Sequence, residues 1–153
     1  MTNSPLIYIA YPMASGGTAV KYEAQKIASC LRTEGYNVFV PDVSVHLSSL
    51  RDILPDKLLA SIAFQISYAL LSEAAGLIAF VNEPSTGVGL EIGVAFSRGL
   101  PLVFVALTKE DKVSEMVVGL CINRNCCLQG SLDEHIGISQ ITRFFKERIK
   151  TDE

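Results

Sequence analysis

The sequence is poor in the features that announce metal, nucleic-acid or membrane chemistry. Its four cysteines, Cys30, Cys121, Cys126 and Cys127, fit no zinc-ligand spacing, and neither histidine lies near them at ligand distance in the chain. This excludes the common structural zinc modules and leaves reduced, partly buried thiols of a cytoplasmic protein as the expectation. His46 and His135 stand alone and receive no catalytic role. Charged residues make up only 19%, and the net charge is −3, which gives no electrostatic reason to expect nucleic acid as a partner. No apolar run approaches the ~20 residues that a bilayer-spanning helix needs. The start, MTNSP, carries no basic region and passes directly into the strand-like LIYIA, so no secretory signal is expected. Repeats, linkers and low-complexity stretches are missing too, which points to one domain over 1–153.

What the chain does have is apolar content, at 49%. That is enough for a real core in 153 residues and more than a small monomer needs, so self-association is plausible. The organising stretch is 76–99, GLIAFVNEPSTGVGLEIGVAFSRG. An apolar run over 77–81 reads as a buried strand, 84–89 as a glycine-bearing turn, and 90–98 as an amphipathic helix stopped by Gly99. Glu91 then falls in the first helical turn. A second apolar run over 102–107 completes a β-α-β unit with a polar site at its strand-to-helix end.

The rest of the chain alternates in the same way. A strand over 6–11 is followed by a loop over 12–17 and a helix over 18–34, with Val20, Ala24, Ile27 and Leu31 on one face and Gly35 as its stop. A strand over 38–40 and a loop over 43–56 lead to a helix over 57–73. Its polar arc is narrow: Lys57, Ser61, Gln65, Tyr68 and Ser72. A helix apolar over so wide an arc is expected to pack on the sheet and on a partner subunit as well. Residues 108–120 run from polar to apolar, 126–128 read as a last short strand and 132–149 as a closing helix. The pattern predicts an α/β fold, a doubly wound parallel five-stranded sheet with helices on both faces.

Three places could carry chemistry. Ser85, Thr86, Gly87, Val88 and Gly89 with Glu91 read either as a phosphate or sugar cradle with a carboxylate nucleophile, or as an ordinary strand-to-helix turn whose glutamate complements the helix dipole. Tyr8 with the 12–17 loop reads as half of a pocket at the carboxyl edge of the sheet, or as a core tyrosine. Ser114 with Met116 reads as a site segment, or as a solvated loop.

At these residues the sequence resembles the nucleoside 2-deoxyribosyltransferase superfamily, most closely its 2′-deoxynucleoside 5′-phosphate N-hydrolase branch. The resemblance lies in Pro84-Ser85-Thr86-Gly87-Val88-Gly89-Leu90-Glu91-Ile92-Gly93, where Leu90 replaces an aromatic residue, in the opening IYIAYPMASGG, and in Val113-Ser114-Glu115-Met116. It covers roughly residues 6–120 and implies a flavodoxin-like fold with no metal or other cofactor. It implies a covalent mechanism in which Glu91 attacks the anomeric carbon of a deoxyribosyl group, and a nucleotide or nucleoside as substrate. Tyr8 would line the site beside it. Ser85, Gly87 and Ser114 would hold a 5′-phosphate, with Ser114 reaching the neighbouring site of a homodimer together with Met116. Met13 and Tyr11 would border the substrate. The chain departs from the family pattern where the usual aspartate of the helix before the third strand is Ser67, and where Ala75 replaces a further acid. Asp42, at the end of the second strand, is the expected substitute. Tyr11 stands where close relatives have glycine and is expected to narrow the pocket. Three functions follow from the resemblance: N-glycosidic hydrolysis of deoxynucleoside monophosphates, base exchange between deoxynucleosides, or nucleotide binding without catalysis.

Overall fold

The computed structural model describes residues 4–13, 17–41, 47–107, 113–122, 125–129 and 136–149. Its strands are β1 (Leu6–Ala10), β2 (Asn37–Phe39), β3 (Gly76–Phe80), β4 (Leu102–Val105) and β5 (Cys126–Gln129). They pair in the order β2-β1-β3-β4-β5, every pair parallel. This is the strand order of flavodoxin-like sheets, with the reversal of winding between β1 and β3. The central strands are apolar runs because both of their faces are covered, and every residue of β3 and β4 is buried.

The helices are α1 (Gly17–Thr33), α2 (Asp56–Glu73), α3 (Thr86–Ser97), α4 (Glu115–Leu120) and α5 (Ile136–Arg148). Strand alternation divides the core in two. Ile7, Ile9, Ile78, Phe80, Val103 and Val105 face α1 and α5. Tyr8, Ala10, Leu77, Ala79, Leu102 and Phe104 face α2 and α3. On α1 the expected face, Val20, Ala24, Ile27 and Leu31, is buried. Gly35 ends this helix at φ 90°, with Tyr36 N–H donating to Leu31 O and Gly35 N–H to Arg32 O, the paired bonds of a Schellman cap. Gly99 closes α3 in the same way at φ 69°.

Three elements differ from the sequence reading. The helix expected from Leu90 begins four residues earlier, at Thr86. Ser85 is its N-cap and accepts from Val88 N–H at 3.4 Å, so the glycine-bearing stretch forms the first turn rather than a loop. The 108–120 segment ends in the short helix α4. On α2 only Leu59 and Leu71 are buried. Leu59, Ala63, Ser67 and Leu71, at four-residue spacing, form the less exposed seam, with Leu71 in the core against the sheet, while Leu58, Phe64, Ile66 and Tyr68 remain about half exposed. Arg98, just past α3, donates to the Leu71 and Ala74 carbonyls and pins the ends of α2 and α3 together.

Candidate active site

The site grows from the winding reversal. β1 and β3 lie side by side, and the chain leaves them in opposite directions, so a crevice opens at their carboxyl ends between α2 and α3. Alternation along β1 turns Tyr8 into this crevice, where its body is fully buried against Phe39, ring centroids 5.3 Å apart. α3 brings Glu91 from the opposite wall. The Tyr8 hydroxyl donates to Glu91 Oε1 at 2.6 Å. From α2, Ser67 lines the same cavity as Glu91. A cavity of about 270 Å³ opens at this point; Met13, Phe64, Ser67, Tyr68, Gly87 and Glu91 are among its lining residues.

Glu91 is the one carboxylate among the described lining residues, and the other walls are largely apolar. Burial raises its carboxyl above the ordinary range, and the bond from Tyr8 opposes that rise. Tyr8 is pushed far above the ordinary phenol range, first by burial, then by the Glu91 charge and by its bond to Glu91; Ser67 pulls the other way. Tyr8 therefore acts as a fixed donor. The sequence reading placed Glu91 in the first helical turn, under the helix dipole. With Thr86 as the first helical residue it lies in the second turn, and a phenol, not the helix terminus, supports its charge.

Five expected site residues thus meet at one cavity: Tyr8, Met13, Ser67, Gly87 and Glu91. Ser85 caps α3 and borders a second, mostly apolar groove of about 610 Å³ on the other side of that helix, with Ser114 and Met116 on its far wall. Within one chain, then, Ser114 and Met116 do not join Glu91. Tyr11 is a correction. It belongs to the core on the opposite face of the sheet, and its hydroxyl donates to Pro41 O at 2.8 Å, so it does not narrow the cavity. Asp42, His46 and His135 lie outside the described residues.

The sequence reading missed the stacked pair Phe64 and Tyr68, centroids 5.8 Å apart, which forms an aromatic wall of the cavity. Their four-residue spacing on a helix was the available signal. Asn82, just beyond β3, was missed as well; it is buried, and its Oδ1 has no partner among the described residues. Among those residues no group of three histidine, cysteine or acidic side chains could hold a metal. Nor is any helix long and apolar enough to cross a membrane.

Comparison with known proteins agrees with this architecture. A Thermofilum pendens protein named as a 2′-deoxynucleoside 5′-phosphate N-hydrolase is 31% identical over 116 residues, which is 74% of this chain and 77% of that protein. The chain belongs to the nucleoside 2-deoxyribosyltransferase superfamily, on its 2′-deoxynucleoside 5′-phosphate N-hydrolase side. No protein-family profile matches it. Among solved structures, a CMP N-glycosidase of Clostridium botulinum shares the fold at TM-score 0.60 and 17% identity, over 91% of this chain and 98% of that one. A conserved protein of Enterococcus faecalis does so at TM-score 0.54 and 16% identity, over 95% and 99%. For a member of this superfamily, the Tyr8–Glu91 pair stands at the sheet edge where open α/β sheets take their ligands.

Proposed function

We propose that the chain is an N-glycosidase that cleaves the base from 2′-deoxyribonucleoside 5′-monophosphates, with Glu91 as nucleophile. The observation that carries this reading is the Glu91 carboxylate, oriented by Tyr8 at 2.6 Å on the wall of a largely apolar cavity at the winding reversal. Membership of the N-hydrolase side of the superfamily supports it, as does a fold shared with a CMP N-glycosidase. In the first step a Glu91 oxygen bonds to C1′ as the C1′–N bond breaks, and the electron pair departs with the base. In the second, water adds to C1′ and releases the carboxylate, leaving the free base and 2-deoxyribose 5-phosphate. Phe64 and Tyr68 offer a face on which a base stacks. Asp42 is the proposed proton donor to the base. It follows Pro41 directly, and the Pro41 carbonyl is held by Tyr11. Ser85 and Gly87, at the start of α3, are the proposed holders of the phosphate.

The proposal includes a homodimer. α2 and α3 leave Leu58, Phe64, Ile66, Leu90 and Phe96 between 43% and 55% exposed, an apolar face that a second copy would cover. Ser114 begins α4 without a capping bond from its own side chain, which suits a hydroxyl that serves the neighbouring site.

The test is a chromatographic assay for free base, with a panel of deoxynucleoside monophosphates and the matching nucleosides. Base from the monophosphates, lost in Glu91→Gln, supports the reading. One observation favours base exchange as the second reading: no lysine or arginine lines either cavity among the described residues. Adding an acceptor base separates the two, since exchange yields a new nucleoside faster than free sugar. Nucleotides that raise the melting temperature while no base appears would indicate a binding protein instead.

A further inference from the structure

The cavity beside Glu91 has one aromatic wall, and that wall comes from α2. Phe64 and Tyr68 lie four residues apart on this helix, their rings 20° from parallel with centroids 5.8 Å apart. Rings stack in this offset way at centroid separations of about 4.5–7 Å. Each ring is still open, Phe64 55% and Tyr68 51% exposed, so the pair leaves surface for a further ring to stack on. Leu90 lines the same cavity from α3, at the motif position where an aromatic residue is usual. One helix of the site has lost a ring, and the facing helix carries two.

We propose that Phe64 and Tyr68 are specificity-determining residues: they hold the base by stacking, supply from α2 the aromatic face that Leu90 removes from α3, and rank bases by ring area rather than by hydrogen-bonding edge. This rests on the reading of the cavity as a deoxynucleotide site. The polar side chains among the described lining residues are Ser67, Tyr68 and Glu91, and Glu91 is bonded to Tyr8 and assigned to the sugar. Two hydroxyls are left to read the edge of a base. A site built to hydrogen-bond its substrate rejects the analogue lacking that group by about 10⁴–10⁵-fold, whereas apolar contact discriminates by only about 10–200-fold. The natural bases should therefore fall within about 10²-fold of one another, purines ahead of pyrimidines.

The experiment separates the base from the sugar phosphate. Calorimetric titrations compare deoxyguanosine monophosphate, deoxycytidine monophosphate and 2-deoxyribose 5-phosphate, which has no base. They are run on Glu91→Gln protein, to stop turnover, alone and with Phe64→Leu, with Tyr68→Leu, with both, and with both plus Leu90→Tyr. Leucine preserves helix propensity at these half-exposed positions. Each single substitution is expected to raise Kd for deoxyguanosine monophosphate about tenfold, and the pair to abolish its preference over deoxycytidine monophosphate. Binding of 2-deoxyribose 5-phosphate should stay the same throughout, and Leu90→Tyr should recover part of the loss for the nucleotides. Equal weakening of all three ligands overturns the proposal, because the rings would then shape the cavity rather than hold a base. Unchanged nucleotide affinities overturn it too, including the case in which the substitutions alter only the sedimentation of the protein. A triple variant that binds nucleotides no more tightly than the double variant overturns the exchange of walls. If wild-type protein releases no base while the base-dependent losses are seen, the hydrolase reading fails and the wall stands. If base release continues undiminished in the Phe64→Leu/Tyr68→Leu protein, the wall fails and the hydrolase reading stands.

Discussion

At Glu91 two opposing effects meet, and burial is the larger. The carboxyl is raised above its ordinary value of 4.5 even though Tyr8 donates to it. The folded chain therefore holds this proton to higher pH than the unfolded chain. Stability falls as pH rises through the window between 4.5 and the raised folded value, then stays lower above it. Glu91→Gln keeps an acceptor for Tyr8 and removes the charge. Thermal denaturation is expected to show a higher melting temperature for this variant at pH 7 to 8, with the difference gone well below the ordinary carboxylate range of about 4. The same variant should lose base release by about 10³-fold or more. Gly76 makes a second prediction at this scale. A Cβ there would stand 2.5 Å from the ring of Phe145 and 3.2 Å from Ile7, both fully buried. Gly76→Ala is expected to cost about 1–3 kcal/mol, read as a lower denaturation midpoint with an unchanged slope.

At the scale of elements, α3 decides the geometry. Its first turn is glycine-rich and of low intrinsic propensity, so a reading by propensity starts the helix too late. The Ser85 cap and the burial of Val88, Ile92 and Ala95 against the sheet overcome that deficit. Ser85→Ala should lower stability by about 1 kcal/mol. If Ser85 also holds the phosphate, KM for monophosphates rises about tenfold and KM for nucleosides scarcely changes. The strands were legible because buried parallel strands are bare apolar runs, and the face of α1 because its spacing is regular. The division of the tyrosines was legible too but was not drawn. Residues three apart on one strand point to opposite faces, so Tyr8 and Tyr11 could not both line one pocket. The partner of Glu91 was legible only through the family resemblance and not from pattern, because residues 83 apart in sequence meet through the sheet order. Ser67 was singled out as the position of the usual family aspartate, and it does line the cavity that holds Glu91.

For the whole molecule, the exposed apolar faces of α2 and α3 and the separation of Ser114 from Glu91 make the same demand. Both are accounted for if two copies pack together and each lends α4 to the other. Sedimentation at micromolar concentration is expected to give a dimer for the wild type and a monomer for Leu58→Glu. Leu58 is 46% exposed and does not line the cavity, so loss of activity in this variant would report the assembly rather than the site. A wild-type monomer would remove Ser114 from the mechanism. The central claim, that Glu91 takes the sugar from the base, is tested most directly by acid-quenching the protein during turnover of a deoxynucleoside monophosphate and mapping the adduct by peptide mass spectrometry. The account predicts 2-deoxyribose 5-phosphate esterified to Glu91 in the wild type and absent from Glu91→Gln. Base release that continues in Glu91→Gln, or an adduct on a different residue, would contradict it.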